Sequence, residues 1–521
     1  MNGFSRMFVG RAAELFALGI FASLPTVFGQ TAPPESMPPG ARATPLPLSG
    51  RTAQPGSVTV MQTTNPGGES VNTLNSTVQP QGAYQGSVPT SRTAGAALAI
   101  SLDDAVARGI KTNLGSVGFQ QSLRQAQGQT TVARSYLLPQ VNAALTGVDQ
   151  QTDLAALGFG TLHLSVPGFS FPTVIGPYHY FDLRAGVSQS IFDRTQLNNY
   201  RAAQENAKST EFSAQDAHDL VALAVTGTYL QVIASASRVD SARAQSATAQ
   251  ETYKEAVDRH NAGVAARIDV TRSQVEFQTE QQRVISLEND LAKQKIAFAR
   301  LIGLPPGQQY TLTDSLPFAP LDGLPLEDAL ARAYANRADL KAAESQVHAA
   351  EISKHAAEAE RLPTISAGAD YGVIGTDPTN SHGTFSVTGS VRLPIFNGRR
   401  AHGDIEQADA ALQQRRAEYE ELRGRIDAEV RTAFLDLNSA AQQVAVADSN
   451  RKLAADTLQQ ARDRFAAGVA DTIEVVQAQE SVAGAERDYI ASLFSHNLAK
   501  ATLARALGQA DQNIKQFLRK Q

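Results

Sequence analysis

The 521-residue chain has no cysteine and no tryptophan. Without a thiol there is no disulfide framework, no Cys-ligated zinc, no thiol nucleophile and no cysteine to carry a lipid anchor. Charge is scarce too, with Asp, Glu, Lys and Arg at 19% of residues, below the average for soluble domains. The 46 basic residues do not exceed the 51 acidic ones, so no basic surplus draws the chain to nucleic acid. Catalytic signatures are missing as well. The nine histidines (His163, His179, His218, His260, His348, His355, His382, His402 and His496) show no H-E-x-x-H spacing. There is no P-loop, no G-x-G-x-x-G opening a helix after a strand and no G-x-S-x-G elbow. No cofactor, metal set or catalytic residue is expected. Ala, Gln, Ser and Thr fill the chain instead, which suits long helices with small side chains on their seams. At 521 residues, two or more units or an elongated architecture are expected.

The N-terminus reads as an export address. Arg6 and Arg11 precede or flank an apolar stretch from Leu15 to Phe28, and Gly29-Gln30-Thr31-Ala32 supplies small residues for cleavage. Residues 1–29 are expected as a signal peptide. An uncleaved anchor is the alternative, although the stretch is short for a span and Pro25 interrupts it. One later run, Leu220 to Ser237, carries no charge, but its counterpart from Arg425 to Gln442 carries Asp427, Glu429, Arg431 and Asp436. Two copies of one element share an environment, and charges at those positions exclude lipid. Residues 30–97 are rich in Pro, Gly, Ser, Thr and Gln without apolar periodicity, and a disordered linker or surface tail is expected there.

From about residue 100 the chain repeats itself. Leu102-Asp-Asp-Ala-Val106 matches Leu326-Glu-Asp-Ala-Leu330, and Leu138-Pro139 matches Leu362-Pro363, both at an offset of 224. Ile191-Phe192-Asp193 matches Ile395-Phe396-Asn397 at 204, so the first copy holds about 20 extra residues between those landmarks. Ala262-Gly263-Val264 with Ala467-Gly468-Val469, Ile268-Asp269-Val270 with Ile473-Glu474-Val475, and Leu301-Ile302-Gly303 with Ala506-Leu507-Gly508 all stand at 205. The landmarks bound a first repeat at 98–308, a second at 309–510 and a tail at 511–521.

Within each copy the apolar period changes twice. Segments 102–138 and 326–362 read as helices that open on Asp or Glu and stop before Pro139 and Pro363. Two strands follow in each copy, marked by period-two alternation through Val141–Leu145, Phe181–Val187, Ile365–Val373 and Phe385–Leu393. Runs of about ten residues match a tilted transmembrane strand, and alternation alone is equally compatible with a half-buried soluble sheet. Long helices are then expected over 194–261 and 398–466, each a rod of roughly 100 Å. Gly263 and Gly468 end them, because glycine takes the left-handed conformation that closes a helix. The returning helices run to Gly303 and Gly508 with heptads Val270, Phe277, Val284, Leu291, Phe298 and Val475, Val482, Tyr489, His496, Leu503.

Two tandem helix–strand–strand–long helix–helix copies with glycine-centred tips resemble the TolC-like outer-membrane efflux proteins, over about residues 100–510. The local signatures are Leu393-Pro394-Ile-Phe-Asn-Gly398, Phe465-Ala-Ala-Gly-Val469 and the Ile-Asp-Val and Ile-Glu-Val runs. The resemblance implies a mainly α fold with β, in which three protomers close one 12-stranded barrel in the outer membrane and a helical tunnel in the periplasm. It also implies a periplasmic membrane-fusion adaptor and an inner-membrane RND, ABC or MFS transporter as partners, outer-membrane lipid around the barrel, and small molecules or proteins as cargo. The missing Cys separates the chain from the lipid-anchored branch. The strands would end near Pro139, Pro363 and Pro394, and the extra residues of the first copy, about 150–179, would form a long outer loop. Tips Gly263, Val264, Gly468 and Val469 would meet the adaptor.

The same resemblance carries an acidic ring onto Glu474, with Asp471 nearby; the second acidic position is Gln477 here, which weakens any second ring. Asp269 fits the acid of a closing latch, but the matching basic position is Ala470, leaving Arg267 or Arg272 to act differently. An exported coiled-coil stalk or fibre is the competing reading; it expects extraction without detergent and no ion conductance. An exported enzyme ranks last for want of a site.

Overall fold

The computed structural model describes residues 56–64, 74–89, 95–158, 172–315, 318–320 and 324–518. The expected signal segment 1–29 lies outside them, as do Gly160 and Pro167 of the expected outer loop. The chain forms two compact units, one holding residues 135–196 and 360–396, the other holding the helices.

In the helical unit the first copy supplies α1 (Leu102–Thr112), α2 (Leu114–Ser135), α3 (Arg194–Asn261) and α4 (Arg267–Leu301). The second supplies α5 (Leu326–Asn336), α6 (Ala338–Ala359), α7 (Arg400–Ala466) and α8 (Thr472–Ala506). The heptad seams face inward. Phe298, Val475, His496 and Leu503 are buried and the other seam residues half-buried, with Phe277 stacked on Tyr253 of α3 at 6.3 Å between centroids. The uncharged run of α3 is core and not a span: Val221, Ala222, Ala224, Val225, Thr226 and Tyr229 are fully buried. The Tyr229 hydroxyl sits 3.1 Å from the Ile100 carbonyl and 2.7 Å from Asp314 Oδ2.

The opening helices differ from expectation, because each is interrupted. Asn113 (φ −66°, ψ 134°) separates α1 from α2, and Arg337 (φ −58°, ψ 121°) separates α5 from α6. The two breaks are one feature, since 337 − 113 = 224, the repeat offset. No proline or glycine makes them. Each is held by a buried polar side chain that finds partners only out of helical geometry. Asn113 donates to the Tyr84 carbonyl at 3.0 Å and accepts from the Gly115 N–H at 2.9 Å, while Arg337 pairs with Asp339 at 2.6 Å and with Glu429.

The tail-like segment before residue 98 is a second correction. Antiparallel β1 (Val58–Thr64) and β2 (Leu74–Pro80) form a hairpin, followed by a 3₁₀ turn at Gly82–Gln85 and β3 (Leu98–Ile100). The hairpin has no core of its own and borrows that of the helices. Val78 packs among Leu230 and Ala234 of α3 and Ile490, Phe494 and Leu498 of α8, and Tyr84 is 1% exposed. Gly227 of α3 makes room, because a Cβ there would lie 2.3 Å from the Val78 side chain. Strand β3 pairs in parallel with β6 (Tyr310–Leu312), joining the starts of the two copies. The expected tail 511–521 is the third correction: α9 (Ala510–Leu518) buries Ala510, Ile514 and Leu518, one face at four-residue spacing. Asp219 of α3 holds its start by accepting the Asp511 N–H at 2.8 Å.

The other unit is one antiparallel sheet in the order β4 (Gln140–Asp153), β5 (Val174–Phe192), β7 (Thr364–Gly375), β8 (Ser381–Arg392). Pro139 and Pro363 immediately precede β4 and β7, and Pro394 follows β8 by two residues. The strands run further than the alternation indicated. Residues 150–153 belong to β4 and 174–179 to β5, so both ends of the expected loop 150–179 are strand, and residues 159–171 within it lie outside the described residues.

Candidate functional site

Register puts the apolar residues of all four strands on one face. Val141 lies opposite Val187 and Leu145 opposite Leu183; Ala185 lies opposite Tyr371; Tyr371 lies opposite Phe385 and Ile365 opposite Val391. That face is uncovered, with Val141, Leu145, Phe385, Val387 and Val391 all more than 70% exposed. A patch of this breadth on a sheet is a surface for lipid or protein, and outward apolar residues alternating with inward polar ones are the pattern of a membrane barrel. The opposite face is polar. Arg184 bonds Asp182 at 3.2 Å, Thr384 at 3.0 Å and also Asp370, while Ser366 and Ser390 share a 2.8 Å bond. Strands β4 and β8 each have one partner among the described residues, leaving two open edges.

In the helical unit the two hairpin tips are built alike. Gly263 has φ +73° and Gly468 φ +74°, a region costly for residues with a Cβ. The Gly263 and Val264 N–H groups return to the His260 and Arg259 carbonyls, and the Gly468 and Val469 N–H groups to those of Phe465 and Arg464, all at 2.9–3.0 Å. These bonds are the Schellman closure that satisfies the last carbonyls of a helix. Val264 and Val469 stand out from the turns, 75% and 68% exposed.

The acidic residues take clear positions. Asp471 is the N-cap of α8, its carboxylate accepting the Glu474 N–H at 3.1 Å. Glu474 is paired with Arg464 at 3.2 Å across the turn of its own hairpin. Gln477 is exposed, and the Asp269 carboxylate in the first turn of α4 has Arg272, at 3.9 Å, as its ion-pair partner among the described residues. Ala470, at the position matching the basic side of the latch, packs against the small cluster of Ala461, Phe465, Val475 and Ala478.

The link between the tips is a residue that the motifs did not indicate. Arg259 of α3 donates to the Phe465 carbonyl at 3.0 Å, stacks 4.1 Å from the Phe465 ring centroid and pairs with Glu255 at 2.9 Å. The repeat offset contains the signal: Arg259 and Arg464 correspond, as do Asp269 and Glu474, since both differences are 205. In the second copy the arginine binds its own hairpin's acid. In the first it reaches across to the other tip, which leaves Asp269 with its distant partner.

A buried ionic cluster ties the copies together elsewhere in the helical unit. Arg505 of α8 pairs with Asp216 of α3, each side chain 12% exposed. Burial pushes the Asp216 carboxyl up to about 6, with Arg505 pulling the other way.

A family model described as Outer membrane efflux protein matches residues 119–304 and 329–509. The chain is 25% identical over 415 residues to the pyoverdine export outer membrane protein OpmQ of Pseudomonas aeruginosa, covering 76% of this chain and 82% of that one. It is 24% identical over 406 residues to the toluene efflux pump outer membrane protein TtgF of Pseudomonas putida, covering 74% and 78%. Among solved structures, the CmeC outer membrane channel of Campylobacter jejuni aligns with a TM-score of 0.68 at 15% identity over 84% of this chain and 95% of that one, a likeness of fold.

Proposed function

Because the chain belongs to the outer membrane efflux protein family, and is an outer-membrane channel and not an enzyme, we propose that it works as a homotrimeric exit duct. The observation that carries the trimer is the open sheet. Four strands with an exposed apolar face leave edges on β4 and β8 that hydrocarbon cannot satisfy, and three copies joined edge to edge close a 12-stranded ring. The duct receives cargo from an inner-membrane RND, ABC or MFS transporter through a periplasmic adaptor that grips the Gly263–Val264 and Gly468–Val469 tips. Type I secretion uses the same geometry. The similar proteins are named for pyoverdine and toluene, chemically unlike cargoes, which fits a wide passage more than a selective pocket. Residues 1–29 serve as the export signal, and a chain without Cys is the non-lipidated kind.

The gate in this reading is the ring of three Glu474 carboxylates with Asp471 beside them, while Gln477 and Asp269 contribute little. Like charges crowded in a constriction attract cations, and Arg464 offsets that charge from 3.2 Å. In planar bilayers the purified protein should conduct and favour cations. Glu474→Gln should lower that preference, and Arg464→Gln should raise it by freeing the acid. Absence of conductance by the intact protein would refute the duct. Conductance with unaltered selectivity in both variants would refute the gate assignment alone.

A further inference from the structure

Between α3, α4, α7 and α8 lies a cavity of about 300 Å³, at the lower end of the size range of ligand sites. Two of its lining side chains, Gln479 (8% exposed) and Glu280 (4% exposed), are buried and incompletely bonded. Thr252 gives its hydroxyl proton to the Thr248 carbonyl at 3.1 Å, so its oxygen can only accept, and it does so from Gln479 Nε2 at 2.9 Å. This sets the orientation of the amide and leaves Gln479 Oε1 without a donor. Glu280 accepts from Arg283 at 2.6 Å through Oε1, and its buried Oε2 receives no hydrogen bond from the described residues.

Both orphan atoms are acceptors, so an occupant has to bring N–H or O–H donors. Charge narrows the choice. Glu276, Glu280, Glu480 and Glu486 face Arg283, Arg487 and Arg451 around the site. Arg451 is shared between Glu486 at 3.8 Å and Asp448 at 2.8 Å, and Arg487 donates to the Ala483 carbonyl at 3.1 Å. Four acids against three arginines leave the surroundings acidic by one. Burial pushes the Glu276 and Glu280 carboxyls up, aided by Glu480 and, for Glu276, by Glu280, while Arg283 and, for Glu280, Arg487 pull the other way. A hard dication is a poor fit, because it wants six or more oxygens and no described group of acids is arranged to hold a metal. The remaining wall combines the apolar Ala244, Ala249, Leu458 and Val482 with the neutral polar Ser241, Gln245 and Thr248.

We propose that this cavity binds a small protonated organic amine, its ammonium on Glu280 Oε2 and Gln479 Oε1 and its apolar body against Leu458 and Val482. Isothermal titration of the detergent-purified full-length protein tests it, with benzylammonium as probe and benzyl alcohol as its uncharged counterpart. The amine should bind saturably, one per chain, and the alcohol at least tenfold more weakly. Glu280→Gln, which keeps size and the contact with Arg283, should weaken the amine at least tenfold; Val482→Phe, which fills the cavity, should abolish binding. Glu420→Gln on an exposed stretch of α7 should change nothing. Equal affinity for amine and alcohol, no saturable heat, or unaltered binding in both cavity variants would overturn the site and leave the oxygens to water. No conductance is involved, so this failure is separate from failure of the duct.

Discussion

Val387→Arg should destabilise the barrel by about 2–4 kcal/mol, the depth-dependent cost of an arginine at the lipid face near the bilayer midplane. Val387 is the seventh of twelve residues of β8, 75% exposed on the apolar face and opposite Ala369. Its neighbour Thr388 faces the other side, where its hydroxyl approaches the Gly368 carbonyl at 3.4 Å. Thr388→Arg should therefore cost little, because arginine in a watery lumen stays solvated. The comparison is a urea unfolding series of both variants in lipid, supported by yield in the outer-membrane fraction. Equal losses for adjacent substitutions would mean that this face does not meet lipid.

A loss of about 3–5 kcal/mol is expected for Arg505→Ala, the usual result of removing one partner from a buried ion pair. The substitution strands Asp216 beside Asp219, both largely buried. The deficit should depend on pH in a definite direction. In the folded protein the Asp216 carboxyl stands at about 6 against an ordinary 3.8, so folding binds a proton between those values. Stability linked to this group is therefore highest below about 4 and falls as pH rises through 6. Without Arg505 the carboxyl moves higher still, the window extends upward, and the variant should recover part of its loss between pH 7 and pH 5. Chemical denaturation of the detergent-solubilised protein at the two pH values measures this. A loss below about 1 kcal/mol, or one that grows on acidification, would show that the cluster is not what joins α3 to α8.

The features written in periodicity were readable in advance. Heptads and the tip glycines located α3, α4, α7 and α8, because a helix that must pack along its whole length repeats its apolar face and needs a left-handed residue to stop. Alternation located the four sheet strands, though it undershot their length where Gln150, Gln151 and Gly176 to His179 break the pattern. The helix breaks were hidden, since Asn113 and Arg337 share a position and a backbone shape but no chemistry visible in one dimension. Hairpin β1–β2 was hidden for another reason. Its apolar residues are few, and they become meaningful only against the groove that Gly227 opens. In α9 the signal was present as Ala510, Ile514 and Leu518, and the short length obscured it. At the hairpin tips the acids were indicated by position, whereas the pairing of Glu474 with Arg464 and the diversion of Arg259 across the tips depend on side-chain direction.

The central claim is that β8 of one copy pairs with β4 of the next, and a chain without a single cysteine makes this directly measurable. Within one chain the sheet order places these strands three steps apart, about 14 Å at ~4.8 Å per step and beyond the reach of a disulfide. Ala143→Cys in β4 should be combined in turn with Phe385→Cys, Val387→Cys, Gly389→Cys and Val391→Cys in β8, all on one face. After oxidation in membranes, non-reducing electrophoresis should show at least one pair converting to a covalent trimer, with nothing larger. Monomers throughout, or a ladder extending past the trimer, would contradict a closed three-copy barrel.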